Sequence, residues 1–163
     1  EDRYVWGANR TATVMDTGLM GHHRRLQKSG FLKLKDIRSL VSGWVQKFSI
    51  KTGSLETSTQ YLSGGNLQKL IVARELEQGT PFLIAAEPTR GVDIGAMETI
   101  HGELLKRREE GTGILLVSSE LTEILKLSDR ILVMYEGRIA GELSAKEATE
   151  EKLGLLMAGG TLQ

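Results

Sequence analysis

Apolar residues recur with a helical period from Asp36 onward. Ile37, Leu40, Val41, Trp44, Val45 and Phe48 follow the i, i+3, i+4, i+7, i+8, i+11 spacing of one inward face, with Asp36 as N-cap. Residues 51–62 are rich in Thr, Ser and Gly and read as a loop. Ser63-Gly64-Gly65 then opens a second helix running to about Gln78, where Gly79 and Pro81 stop it. Phe82 to Ala86 is a short, continuously apolar run, the pattern of a strand covered on both faces. Asp93 caps a helix to about Glu110, with Met97, Ile100, Leu104 and Leu105 inward. Ile114 to Val117 is a second buried strand, and Ser118-Ser119 begins a short helix with Leu121, Ile124 and Leu125 on one face. Ile131 to Tyr135 is a third strand, turned at Glu136-Gly137 into a hairpin with Arg138 to Leu143. Thr149, followed by Glu150 and Glu151, starts a last helix that ends near Gly159-Gly160. Strands alternating with helices between 81 and 135 predict parallel βαβ units with helices on both faces.

The first 35 residues resist this reading, because glycines at 7, 18, 21 and 30 interrupt every period. His22-His23-Arg24-Arg25 reads there as a solvated basic loop; two adjacent His residues without a nearby carboxylate make a poor metal site. His101, beside the inward stripe of its helix, reads as a half-buried structural imidazole. The chain has 163 residues, room for one domain with a sizeable core. Twenty-one Lys and Arg balance 21 Asp and Glu, so there is no general attraction to nucleic acid or to an anionic membrane, although a local basic patch stays possible. Without a single Cys, disulfide scaffolds, zinc-thiolate sites and Cys nucleophiles are excluded. No apolar run approaches the roughly 20 residues of a membrane span. Glu1-Asp2-Arg3 does not read as a natural beginning, which suggests a piece of a longer protein.

Two stretches carry chemistry. Leu62-Ser63-Gly64-Gly65-Asn66-Leu67-Gln68-Lys69 places a hydroxyl and two glycines at a helix N-terminus, where free amides and the positive end of the dipole suit a phosphate. Taken alone, Ser-Gly-Gly reads as the N-cap and flexible turn of an ordinary helix. Phe82 to Ala86 ends in a carboxylate, Glu87, followed by the sharp turn Pro88-Thr89-Arg90-Gly91-Val92-Asp93. Ligands of parallel sheets bind beyond the C-terminal strand ends, and a carboxylate there can orient an attacking water. It can equally cap a neighbouring helix.

Together these residues resemble the ATP-binding-cassette (ABC) ATPases. Leu62 to Lys69 looks like the family signature, Leu83 to Glu87 like Walker B with the catalytic Glu, and Gly91-Val92-Asp93 like the D-loop. Val117-Ser118-Ser119-Glu120-Leu121 sits where the switch His would lie, and Ser128-Asp129-Arg130 matches the Ser-Asp-Arg before the next strand. Pro88 to Ala96, Asn66 and Ser119 resemble the second cassette of double-cassette ATPases that serve bacterial sugar and nucleoside importers. Ala85-Ala86 and the tail from Leu155 to Gly160 lean toward the nucleoside branch.

The resemblance implies an α/β fold: a partial P-loop cassette with a parallel sheet core and a helical signature subdomain, divided as residues 1–79 and 80–163. It implies Glu87 and Ser119 at catalytic positions, and Ser63, Gly64, Gly65, Gln68 and Asp93 as cofactor contacts. No metal ligand is assigned, although the complete protein would use ATP and Mg2+. Implied partners are the first cassette of the same polypeptide or a dimer mate, transmembrane permease subunits and, through them, a solute-binding protein, with no nucleic acid. The implied location is the cytoplasmic face of a bacterial membrane, bound peripherally. Residues 4–62 would meet the permease's coupling helix.

The sequence also departs from the pattern. No Gly-x-x-x-x-Gly-Lys-Ser/Thr occurs, and in family order that loop would precede Glu1. Ala86 stands where Walker B carries Asp, and a methyl group cannot hold Mg2+ or its water shell. Ser119 replaces the switch His. The cassette therefore looks better suited to completing its partner's ATP site than to running its own. The rival account has water-mediated Mg2+ binding rescue the altered site. Two other readings remain: a cassette kept only for assembly and signature donation, and a soluble ABC protein of translation or DNA repair. The balanced charge and the Thr-Arg-Gly-Val-Asp string weigh against the last.

Overall fold

The computed structural model describes residues 7–161. The chain divides into two compact units, Glu1–Leu83 with Pro88–Gly113, and Ile84–Glu87 with Ile114–Gln163.

The first unit is built on helices. α1 (Val14–Leu19) starts in a capping box in which the Thr13 hydroxyl accepts from the Asp16 amide at 3.0 Å. A two-residue ribbon follows, β1 (Gln27–Lys28) antiparallel to β2 (Phe31–Leu32). α2 (Leu34–Lys47) begins two residues before the predicted Asp36. Lys33 occupies the cap position without a side-chain bond, and Asp36 sits in the first turn, 3.6 Å from the Lys33 ammonium. A carboxylate is as favourable in the first turn as at the cap, so composition alone does not fix the start. A short 3-10 turn (Thr59–Tyr61) leads into α3 (Gly64–Leu76), close to the expected span.

α3 packs on α1, α2 and α4 (Ile94–Glu109). Ile37, Val41, Trp44, Phe48 and Ile100 are buried here, as the helical period predicts, and Val14, Leu67 and Leu70 are buried with them. α1 reaches α2 through Gly18, where a Cβ would lie 2.8 Å from a Val41 methyl. Charged groups tie the helix ends together: the Lys47 ammonium lies 3.1 Å from Glu77 and 2.8 Å from Glu103, and Arg107 lies 3.7 Å from Glu77. Partial burial works against the Lys47 charge, but hydrogen bonds to Glu103 and Glu77 outweigh it and hold its pKa above the ordinary lysine value.

The solvated reading of the His22–Arg25 cluster fails at its first residue. His22 is buried, its ring centroid 5.1 Å from that of Trp44 and its Nε2 3.0 Å from the Arg74 carbonyl. Arg74 is buried as well and donates to the carbonyls of Gly7 at 2.8 Å and Thr17 at 3.3 Å. A charge left inside must find such acceptors. His101 is buried outright rather than half-buried.

β3 (Phe82–Ala86) pairs with β4 (Gly113–Val117). The Gly113 amide donates to the Pro81 carbonyl at 3.0 Å, and the Glu87 amide to the Val117 carbonyl at 2.8 Å. Start thus meets start and end meets end, so the pair is parallel, as the βαβ pattern requires. The expected cover on both faces is not found: Phe82 and Ile84 are 56% and 63% exposed, and Leu115 and Val117 47% and 50%. An apolar run reports what a strand needs, whereas the described residues cover one face.

In the second unit, α5 (Leu121–Leu127) precedes β5 (Arg130–Tyr135), which is antiparallel to β6 (Arg138–Ser144). Glu136 and Gly137 both have positive φ, the two-residue turn whose twist suits a hairpin. Among the described residues β5 pairs with β6, not with β3 or β4, so the predicted run of parallel units stops at β4. α6 (Glu150–Met157) packs on the hairpin, with Ile131, Val133, Leu143, Leu153 and Leu156 as the core. No described helix is long and apolar enough to cross a membrane.

Candidate functional site

The predicted site residues fall into two clusters, one in each unit. The first surrounds the N-terminus of α3. Ser63 is its N-cap, with extended backbone, and its Oγ accepts from the Asn66 amide at 3.4 Å and from Asn66 Nδ2 at 2.9 Å. Both acceptor directions are then used, which leaves the hydroxyl proton free to donate outward. Asn66 is itself held, its Oδ1 accepting from the Lys51 amide at 2.8 Å. The amides of Gly64 and Gly65 belong to the first turn and have no carbonyl four residues back. Ser63 and Gly64 are exposed. Three donors therefore gather near one helix end, a hydroxyl and two amides, and the helix dipole adds to their pull on an anion.

The loop 88–93 braces this helix. A Cβ at Gly65 would stand 2.9 Å from the Gly91 carbonyl oxygen, so only glycine lets the two backbones approach this closely. Gly91 itself has φ +68°, a value open to glycine. Gln68 Nε2 donates to the Pro88 carbonyl at 3.2 Å. Asp93 serves two elements at once: one oxygen accepts from the Ala96 amide at 2.9 Å and caps α4, while the other takes the Lys69 ammonium at 2.6 Å. The Lys69 side chain is 4% exposed and donates also to the Ser49 carbonyl at 3.3 Å. The Lys69 hydrogen bond first, then the Ala96 amide, hold the Asp93 carboxyl below the ordinary carboxylate range. Because Lys69 is engaged inward, attraction for an anion at this helix end comes from the backbone and Ser63.

The second cluster lies where β3 and β4 end. Glu87 has φ +48°, uncommon for a side chain with a Cβ. Its amide is fixed on Val117, and its Oε1 accepts from the Ser119 amide at 2.9 Å. Glu87 and Ser119 are thus brought together. Ala86 and Ser119 are both exposed.

These donor sets bear differently on the two implied groups. The α3 N-terminus fits the outer phosphate of ATP. The β3 end does not fit Mg2+, because a methyl group stands beside Glu87 in place of a second carboxylate. No group of three or more His, Cys, Asp or Glu residues among those described could hold a metal ion. Sequence reasoning missed Asn66 and Lys69 as parts of the site. The i, i+3 pairing of Ser63 and Asn66 was a readable signal for one; nothing local pointed Lys69 at Asp93.

A helical unit with a glycine-rich helix start, and a parallel strand pair ending in Glu87, are the parts of a P-loop-type cassette of mixed α/β fold. The solved structures agree: a dimeric ATP-binding cassette in a post-hydrolysis state bound to ADP and Pi matches with TM-score 0.71 at 20% identity, covering 83% of this chain and 58% of that one. The ATP-binding subunit of an ABC transporter matches with TM-score 0.70 at 18% identity, covering 91% and 63%. Its sequence relatives, import ATP-binding proteins at 40–47% identity, place the chain among the ABC ATPases. Its similarity is to import ATP-binding proteins in particular. The guanosine import protein NupO of Bacillus subtilis is 47% identical over 127 residues, 78% of this chain and 24% of that protein. The nucleoside import protein NupA of Lactococcus lactis is 40% identical over 99% of this chain and 32% of its own length. The ribose import protein RbsA of Bacillus subtilis is 46% identical over 80% of this chain and 27% of its own length. The chain thus spans about a quarter to a third of these relatives. No protein-family model matches it.

Proposed function

We propose that this chain is part of the second cassette of an ABC importer ATPase for simple sugars or nucleosides, and that its main task is to complete an ATP site held by a facing cassette. The facing cassette is the first one of the same polypeptide or of a dimer mate. In this reading Ser63 and the amides of Gly64 and Gly65 bind the outer phosphate, while Gln68, Lys69 and Asp93 hold the helix start in place. In this reading residues 1–79 are the helical subdomain and 80–163 the core, although Pro88–Gly113 of that core belongs to the compact unit of the helices. The assembled protein would hydrolyse ATP with Mg2+ and work with permease subunits and a solute-binding protein, peripherally at the cytoplasmic face of the membrane. The observation that carries this reading is the braced, outward-facing donor set at the start of α3, opposed to the Ala86 and Ser119 replacements beside Glu87.

Ser63→Arg in the full-length protein tests it. Solute-stimulated turnover should fall by about a hundredfold or more, the usual cost of losing preorganised donors at a developing charge. Glu87→Gln should cost far less. Normal turnover in Ser63→Arg, or the reverse order of effects, would overturn the assignment. Ala86 and Ser119 also favour a second reading, in which the Glu87 site has no turnover at all; Glu87→Gln would then be silent. The isolated 163-residue chain should bind Mg-ATP weakly, since a helix start alone offers only a few amides. Calorimetry showing micromolar affinity would contradict this.

A further inference from the structure

The segment between α1 and α2 has a composition unlike the rest of the chain. From residue 17 to residue 35 there is no Asp or Glu, but there are five Lys and Arg: Arg24, Arg25, Lys28, Lys33 and Lys35. All five are exposed, and only Lys33 is ion-paired, to Asp36, among the described residues. The same segment exposes apolar side chains: Phe31 is 80% exposed, Leu34 61% and Leu32 43%. Phe31 and Lys28 stand directly opposite one another in the ribbon, so ring and ammonium share one face. The ribbon's turn is Ser29-Gly30, with φ +51° and +84°, a two-residue turn that holds the tip in one shape. At its base the Lys33 amide donates to the Leu26 carbonyl at 2.9 Å, and His22 anchors the preceding loop on Trp44 and Arg74. A rigid projection carrying a ring and several solvated cations therefore stands on a buried foundation.

We infer that this ribbon docks on an anionic phospholipid surface, with Arg24, Arg25, Lys28 and Lys35 against headgroup phosphates and Phe31 at the acyl boundary. Two features favour lipid over an acidic protein face. The cations lie along an exposed segment without matched hydrogen-bonding neighbours, which suits a diffuse layer of charge. The outermost side chain is an aromatic ring, the residue type that settles at a membrane interface. Each Lys or Arg near such a surface strengthens binding about fivefold, so the contact is weak by itself and works beside other attachments. The inference goes beyond the importer assignment, and its test needs neither ATP nor permease, so either can fail without the other.

The test is co-sedimentation of the full-length polypeptide with vesicles of phosphatidylglycerol in phosphatidylcholine, against phosphatidylcholine alone. The wild type should partition onto the anionic vesicles, and the binding should weaken with added salt. Arg24→Gln, Arg25→Gln and Lys28→Gln together should reduce it about a hundredfold, the product of three such factors. Phe31→Ser should reduce it less while leaving the salt dependence intact. All four positions are exposed, so the circular dichroism of these variants should match the wild type. Equal binding to neutral vesicles, or an unchanged triple variant, would overturn the inference. So would a triple variant that keeps its lipid binding but no longer assembles with detergent-purified permease, since the patch would then serve an acidic protein face.

Discussion

The start of α3 and the end of β3 are both places where the backbone is bent to present chemistry, yet they are supported very differently. Around Ser63 every neighbour is fixed. Asn66 holds the hydroxyl, Lys51 holds Asn66, Gly91 abuts Gly65, and a buried Lys69 meets Asp93. Glu87 takes a left-handed backbone and gives one carboxylate oxygen to the Ser119 amide, with the small side chains of Ala86 and Ser119 beside it. A site that must meet a phosphate supplied from outside gains from being rigid beforehand, because no ordering is left to do on contact. In the proposed reading Glu87 lacks the Asp and His expected beside it, so less depends on such rigidity there.

Substitutions that loosen the first region or rebuild the second bear directly on this contrast. Gly65→Val should have the largest effect. Its Cβ would be forced within 2.9 Å of the Gly91 carbonyl, a backbone atom that cannot swing away. Turnover of the full-length protein should drop about a hundredfold, as expected when a binding group is displaced by an ångström. Thermal unfolding should show a loss of about 1–3 kcal/mol from overpacking. A Gly65→Val protein with wild-type turnover would mean that the close approach has no part in phosphate binding.

Rebuilding the second region comes next. Ala86→Asp with Ser119→His should raise hydrolysis attributable to Glu87 by about tenfold, a conservative share of what a positioned acid–base pair contributes. The measurement is turnover of the double variant in a background where the facing cassette's own catalytic carboxylate is removed. No gain there would show that an Asp and a His beside Glu87 are not enough to make its site turn over.

The smallest effect concerns pH. Asp93 is held below the ordinary carboxylate range when folded, so its contribution to stability is present above that range. It is lost as the pH falls through the lowered folded value. Asp93→Asn keeps an oxygen for the Ala96 amide and loses the charge facing Lys69. The stability gap between wild type and Asp93→Asn should therefore be widest near neutral pH and close on acidification, as followed by circular dichroism. The Asp93 side chain is 65% exposed, so solvent screening keeps the gap modest. A gap that widened in acid would reverse the sign and remove the ion pair as its cause.

Much of this was legible in the chain. The helical period from Ile37 to Phe48 reports a one-sided burial that local spacing encodes fully, and the structure buries that face. Ser63 and Asp93 were readable as caps because a cap bonds an amide only three residues on. His22 was not readable: its partners Trp44 and Arg74 lie 22 and 52 residues away, and no local pattern distinguishes an imidazole in a basic loop from one folded inward. The Lys69–Asp93 pair was hidden for the same reason. β3 and β4 show the opposite failure, since apolarity was read correctly as a demand for cover but carries no information on where that cover resides.

The approach of Gly65 to Gly91 also has a consequence for how such a chain can change over time. Positions 65 and 91 lie far apart in the sequence, yet the backbone at one limits the side chain at the other. A side chain at residue 65 becomes tolerable only if the turn at 91 has already moved, and that turn carries the glycine conformation and leads directly into Asp93. Variation at 65 is therefore blocked by the Gly91 carbonyl, and variation at 91 by that residue's own positive φ. Lineages that drift freely along the exposed side of α4 should still inherit both glycines together.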